Sequence, residues 1–170
     1  MCRFFLLSPL IGLFLLAGCA APQVKPTPLV KVNVLPLALS DAFEFRKTKT
    51  FFNGPGFNPG RDPMVSIQKR RAEFGAVDSL DRAERAGDYF TFWWRAHRKA
   101  NVTVRLEYRT VNLGDYVQAR ELYYPDVLGT YQSGFNIIGD DYSDDGRITS
   151  WRCVLIEEGK IVALTQSMLW

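Results

Sequence analysis

From residue 64 onwards, hydrophobic and polar residues alternate over short stretches, which is typical of β-strands with one buried face. The clearest example is 101–110, where Val102, Val104, Leu106 and Tyr108 share one face and mostly charged residues occupy the other. We predict an antiparallel sheet here, with its charged face in solvent. The predicted strands are 64–74, 89–96, 101–110, 116–124, 130–138, 147–157 and 160–169.

Local signals between these strands predict a turn and a helix. Glu157-Glu158-Gly159-Lys160 separates the last two strands and predicts a hairpin. Asp78 is a good N-cap, helix-forming residues follow it, and Gly87 is a stop signal. We therefore predict one short helical turn near 79–86.

About seven short strands in 63–170 predict an all-β domain, an antiparallel β-sandwich. In size and strand spacing it resembles immunoglobulin and fibronectin type III domains, at the level of the fold only. The paired cysteines of true immunoglobulin domains are missing, because Cys153 is the only cysteine in this region.

The start of the chain has the pattern of an export signal. Arg3 precedes an apolar run from Phe4 to Leu16, which we expect to form a signal helix. The run is shorter than the roughly 20 residues of a membrane-spanning helix. It ends in Leu16-Ala17-Gly18-Cys19, which resembles the lipobox of bacterial lipoproteins.

This resemblance implies that residues 1–18 are a signal peptide and that Cys19 becomes the lipidated first residue. Lipoproteins of this kind usually carry three acyl chains, palmitate among them, and several chains hold a protein durably on a membrane. Ala20, rather than aspartate, follows Cys19. The resemblance therefore implies a cell-envelope protein on the periplasmic face of the outer membrane.

Between the anchor and the predicted domain the chain is rich in proline. Pro22, Pro26, Pro28 and Pro36 favour extended backbone. We therefore interpret 19–62 as a lipid-anchored tether with an irregular N-terminal segment, in which part of 30–39 is a candidate edge strand.

Composition narrows the functional classes. The 170 residues are 47% hydrophobic with a net charge of +3, which is typical of a globular protein and indicates no nucleic-acid partner. No phosphate-binding loop, dinucleotide fingerprint or catalytic motif is present, so we predict no cofactor. Once Cys2 and Cys19 are accounted for, Cys153 has no partner for a disulfide and is predicted to be a buried hydrophobe.

Aromatic residues are densest in 89–94. Alternation sends Phe90, Phe92 and Trp94 to one face, and Tyr89 and Trp93 to the other. One set must be core. The second set, Tyr89 and Trp93, is either covered by 30–50 or exposed as a platform on which sugar rings stack.

Two charged clusters are further candidates. Asp140, Asp141, Asp144 and Asp145 offer the oxygen ligands that Ca²⁺ prefers, although the spacing fails as an EF-hand and an acidic loop is the default interpretation. The segment 95–99 contains Arg95, His97, Arg98 and Lys99. These cations are either a solvated turn or a contact for anionic headgroups and cell-wall phosphates.

Three functions fit these observations. The first is a non-catalytic interaction or structural module that engages another envelope protein through a sheet face or an edge strand. The second is a glycan- or small-ligand-binding module built on Tyr89 and Trp93. The third is a small envelope hydrolase, which would need a cleft that contains two convergent titratable groups.

Overall fold

The computed structural model describes residues 25–56, 58, 60 and 62–170. The predicted signal helix and Cys19 lie outside the described residues. Six strands and three short helices make up the described part of the chain. They are β1 (Thr27–Leu29), β2 (Phe43–Asn53), α1 (Pro63–Ala72), α2 (Ser79–Glu84), β3 (Gly87–Thr110), β4 (Gln118–Ile138), α3 (Asp140–Asp145), β5 (Ile148–Glu157) and β6 (Lys160–Gln166).

All six strands belong to one antiparallel sheet that bends into two layers. The long strands β3 and β4 pair along most of their length, and the register shifts between Ala96 and Ala100. On its other side, β3 pairs first with β2 and then with β5. We call β2 with 87–96 and 129–138 the first layer, and the remaining strand segments the second layer.

The hydrophobic core lies between the two layers. Phe92 of the first layer contacts Trp151 of the second, with ring centroids 5.5 Å apart. Val102, Val104, Leu106 and Tyr108 are buried in the same cluster, as their alternation predicts. The predicted all-β, sandwich-like fold is therefore confirmed.

The strand count differs from the prediction because four predicted strands join in pairs. The segments 89–96 and 101–110 are both parts of β3, and 116–124 and 130–138 fall mostly within β4. Both long strands continue through the bend, so the basic segment 95–99 is an irregular part of β3 and not a turn between strands. The predicted hairpin at 157–160 is confirmed.

The predicted strand at 64–74 is wrong, because this segment forms α1. Pro63 occupies the first turn, where its missing N–H costs nothing. The Asp62 side chain accepts hydrogen bonds from the backbone N–H groups of Met64 and Val65 and caps the helix. The helix predicted near 79–86 is confirmed as α2, with a capping box formed by Asp78 and Asp81.

The sheet begins before the predicted domain boundary at residue 63, since β1 and β2 are both part of it. After β1, residues 30–40 cross the outer surface of the second layer; we call them the crossing segment. The Asn33 carbonyl accepts a hydrogen bond from Arg105 of β3, and Leu35 packs against β5 and β6. Leu37 then pairs with Ile161. Residues 27–53, predicted from the sequence to belong to the tether and irregular segment, therefore pair with the sheet or cross its surface.

Candidate functional site

The aromatic run in β3 divides between the core and the outer surface of the first layer. Phe90, Phe92 and Trp94 are at most 3% exposed. Tyr89 and Trp93 lie on the opposite side of the strand and are partly exposed. The burial of Phe90, Phe92 and Trp94 is confirmed. The crossing segment does not cover Tyr89 and Trp93, because it packs on the second layer.

The strand register gives Tyr89 and Trp93 their neighbours. Phe51 lies opposite Tyr89, with ring centroids 6.1 Å apart, and the Nζ of Lys47 lies 5.2 Å from the centroid of the Trp93 ring. Residues of β4 complete the surface on the other side. We call this surface the open face. It consists of Lys47, Lys49, Phe51, Tyr89, Thr91, Trp93, Gln132, Gly134 and Asn136.

A groove of about 200 Å³ runs between α1 and the open face. The helix contributes Gln68 and Arg71, and the sheet contributes the Phe51 and Tyr89 rings among others. An aromatic surface beside a few polar side chains is the usual composition of a small-ligand site.

Asn53, at the end of β2, connects α1 to the sheet through hydrogen bonds beside this groove. Its side chain is 1% exposed. The Nδ2 group donates to the Arg85 carbonyl at 3.0 Å, and Oδ1 accepts from Lys69 of α1 at 3.2 Å. Because both ends of the amide are engaged, the end of β2 holds the helix and the start of β3 together.

The polar groups of the groove differ in how they are engaged. The Tyr89 hydroxyl donates to the Arg85 carbonyl at 2.7 Å, and burial raises the pKa of Tyr89, so the hydroxyl stays protonated as a donor. This bond fixes the ring. In the described part of the chain, no hydrogen bond or ion pair engages the side chains of Lys49, Gln68, Arg71 or Asn136.

Gly134 leaves space on the floor of the groove. It lies opposite Thr91 in the register. A Cβ atom built on Gly134 would meet only the Phe90 carbonyl oxygen, at 3.9 Å, which is an ordinary contact. A larger residue here would fill the groove without straining the backbone.

The outer surface of the second layer is built differently, and we call it the covered face. Glu107, 3% exposed, accepts hydrogen bonds from Arg152 at 3.0 and 2.5 Å and lies 3.6 Å from Arg105. Arg105, 8% exposed, also binds Glu121 at 2.6 Å. These charged side chains therefore form a largely buried network, whereas the sequence pattern predicted that this face of the strand is exposed to solvent.

The C-terminal residue extends this network. The Trp170 ring lies 4.5 Å from the guanidinium carbon of Arg109 and 5.0 Å from that of Arg152. Both contacts are within the range of cation–π attraction. The charges of the covered face are thus enclosed by the crossing segment at one side and by Trp170 at the other.

The four aspartates considered for calcium all lie in α3. Asp141 binds Arg120 at 2.5 Å, and Asp145 accepts a hydrogen bond from Gln118 at 2.6 Å. Asp140 and Asp144 are exposed. Within the described ranges, no three potential metal ligands among His, Cys, Asp and Glu come together.

The basic residues of 95–99 do not form one patch. Arg95 lies on the outer surface of the first layer, opposite Glu44, and His97 lies 3.5 Å from the same carboxylate. Arg98 binds both carboxylate oxygens of Glu157 at 2.6 Å. Lys99 is exposed. Two of these four side chains thus have acidic partners.

Cys153 is buried in the core, as predicted. Burial raises the pKa of its thiol well above the ordinary value. A thiol that stays protonated and enclosed acts as a small hydrophobe rather than as a nucleophile.

Sequence reasoning missed the groove because it missed α1. Gln68 and Arg71 belong to a segment whose apolar residues, Val65 and Ile67, are two apart and suggested a strand. The signal that was available is Asp62-Pro63, a cap followed by proline in the first turn.

No helix among the described residues is long and apolar enough to cross a membrane. No protein-family model matches the chain, and neither the curated proteins nor the solved structures compared with it give a significant match.

Proposed function

We propose that the protein is a lipid-anchored, non-catalytic binding module of the cell envelope, attached through Cys19, and that the open face is its contact surface. One observation carries this proposal. Of the two outer surfaces of the sheet, the covered face is occupied by the chain's own residues, whereas Tyr89 and Trp93 on the open face remain partly exposed, beside polar side chains that have no partner among the described residues. Exposed aromatic side chains of this kind are enriched at binding surfaces.

Contact through the face is favoured over pairing at a strand edge. The edge of 129–138 is partly occupied, because Arg120 donates to the Asn136 carbonyl at 3.3 Å and the Tyr124 hydroxyl lies 3.5 Å from the Gln132 carbonyl. The edge strand β2 carries lysines and an irregularity at Arg46. Such features protect an edge from further pairing.

The contact surface is tested by site-specific photo-crosslinking in intact cells that express the full chain. A photoreactive residue replaces Gln132 on the open face or, as a matched control, Val34 on the crossing segment, which is 99% exposed. We expect adducts from position 132 and few from position 34. Equal labelling at both positions, or none at 132, would contradict the proposal.

The anchor is tested separately by Cys19→Ala. Without the thiol there is no site for the lipid, so the variant should move from the membrane fraction to the soluble fraction. The measurement is fractionation followed by immunoblotting, with Cys153→Ala as the control that keeps the anchor. A Cys19→Ala variant that remains on the membrane would refute the proposed anchor.

A further inference from the structure

We propose that the groove between α1 and the open face binds one sugar ring that carries a negative charge, a uronate or a phosphorylated saccharide. This inference rests on the proposed function, because it names the ligand of the same surface. The aromatic rings form the floor for the sugar, and Lys49 and Arg71 bind its acidic group.

The aromatic pair provides a preorganised apolar surface. Tyr89 and Phe51 lie side by side, with ring planes inclined by 48°. The hydrogen bond from the Tyr89 hydroxyl to the Arg85 carbonyl holds that ring in place before any ligand arrives. A rigid aromatic surface loses little entropy on binding, and it suits the C–H face of a sugar ring.

The charge of the groove selects an anion. Lys49 and Arg71 both line it, and no acidic side chain of the described ranges does so. In the described part of the chain, neither cation has an acidic partner, unlike Arg98 or Arg105. A guanidinium group binds a carboxylate or a phosphate through two parallel hydrogen bonds.

The amides and the size favour a single saccharide ring. The side chains of Gln68 and Asn136 offer donors and acceptors for hydroxyl groups, and both are unengaged within the described residues. At about 200 Å³, the groove is smaller than the clefts of roughly 300–1,000 Å³ that enclose drug-sized ligands. It therefore fits one ring, with a longer chain leaving over Gly134 towards Trp93.

The test is titration of the purified full chain with glucuronic acid, glucose 6-phosphate and neutral glucose. Binding is measured by calorimetry and by shifts of the side-chain amide signals of Gln68 and Asn136 in NMR spectra. We expect at least one acidic sugar to bind tenfold or more tightly than glucose, and the stronger of the two identifies the source of the charge.

Two variants locate the site. Gly134→Leu should abolish binding by filling the groove, whereas Thr130→Leu, which lies on the same outer surface beyond the groove, should not change it. Arg71→Gln should weaken the acidic sugar about tenfold and leave glucose unaffected, as expected for the loss of a charge-assisted hydrogen bond. Thermal melting confirms that each variant is folded.

Three results would overturn this inference. They are equal binding of glucose and the acidic sugars, no binding of either acidic sugar, and undiminished binding by Gly134→Leu. None of these would affect the proposed function. Its contact surface fails if position 132 gives no adducts or is labelled no more than position 34, and its anchor is tested separately by Cys19→Ala. If position 132 crosslinked to a protein and neither acidic sugar bound in the titrations, the proposed binding function would stand and the proposed sugar ligand would be rejected.

Discussion

The open and covered faces are made from the same two long strands, yet they differ in nearly every property. On the open face, Thr91 and Trp93 keep contact with solvent. One bend further along β3, Arg105 and Glu107 occupy equivalent alternating positions and are almost completely enclosed. The difference comes from residues distant in sequence, Asn33 and Trp170 among them, that cover one face only. The polar side of a strand is therefore buried or exposed according to the segments that pack over it, and its own sequence pattern does not decide this.

The largest loss of stability is expected from Glu107→Ala on the covered face. The substitution leaves Arg105 and Arg152 without their shared carboxylate in a nearly buried position. We expect a loss of about 3–5 kcal/mol in the free energy of unfolding. Urea denaturation measures it, and Lys49→Ala on the open face is the control, with an expected change within about 0.5 kcal/mol. Similar losses for both variants would mean that the two faces do not differ in this way.

The contribution of the crossing segment is tested by Leu35→Ala against Val34→Ala. Leu35 packs on the cluster of Val154, Ile156 and Ile161, whereas its neighbour Val34 is 99% exposed. Because Leu35 is only partly buried, we expect a loss of about 1–2 kcal/mol, below the 2–5 kcal/mol of a fully buried leucine. Val34→Ala should leave the melting temperature unchanged. Equal effects of the two variants would show that the segment does not dock.

A smaller effect is expected where the two layers meet, at Asp88. Its carboxylate accepts a hydrogen bond from the backbone N–H of Ile148, and burial raises its pKa above 3.8. The folded state therefore holds the Asp88 proton more tightly than the unfolded state. The contribution of Asp88 to stability increases as the pH falls through the raised pKa, and it becomes constant below 3.8. Asp88→Asn keeps an acceptor but cannot titrate.

We expect wild type to gain stability relative to Asp88→Asn as the pH falls through this window, with the variant equal or more stable at neutral pH. Denaturation of both proteins across the acidic range gives the difference directly. If wild type lost stability relative to the variant in this pH range, the pKa of Asp88 would be lowered by folding and not raised.

The open face can be tested without changing stability. Trp93 is partly exposed, while Trp94 is 0% exposed and its indole N–H donates to Ser133. Acrylamide should therefore quench Trp93 and not Trp94. Trp93→Phe should remove more of the quenchable emission than Trp94→Phe, and the opposite order would mean that the outward side of β3 is assigned incorrectly.

Part of the fold was predictable because it depends on neighbours along the chain. The alternation of Val102, Val104 and Leu106 predicted their burial, and Asp78 predicted the start of α2. The site was predictable only in part. Alternation placed Tyr89 and Trp93 together on the outer side. Phe51, Arg71 and Asn136 line the groove beside Tyr89 from three other elements, and no local sequence pattern predicts that arrangement.

The sequence by itself determined which side of 102–108 in β3 enters the core, since a two-residue period leaves only one side of this segment apolar. It also determined where the chain turns at 157–160, because Gly159 adopts a φ of +75° that other residues resist. Only the tertiary structure decided which polar side would be covered. Which side is covered depends on where a distant segment packs. Leu35 packs on Val154, Ile156 and Ile161, whose side chains form an apolar cluster on the outer surface of the second layer.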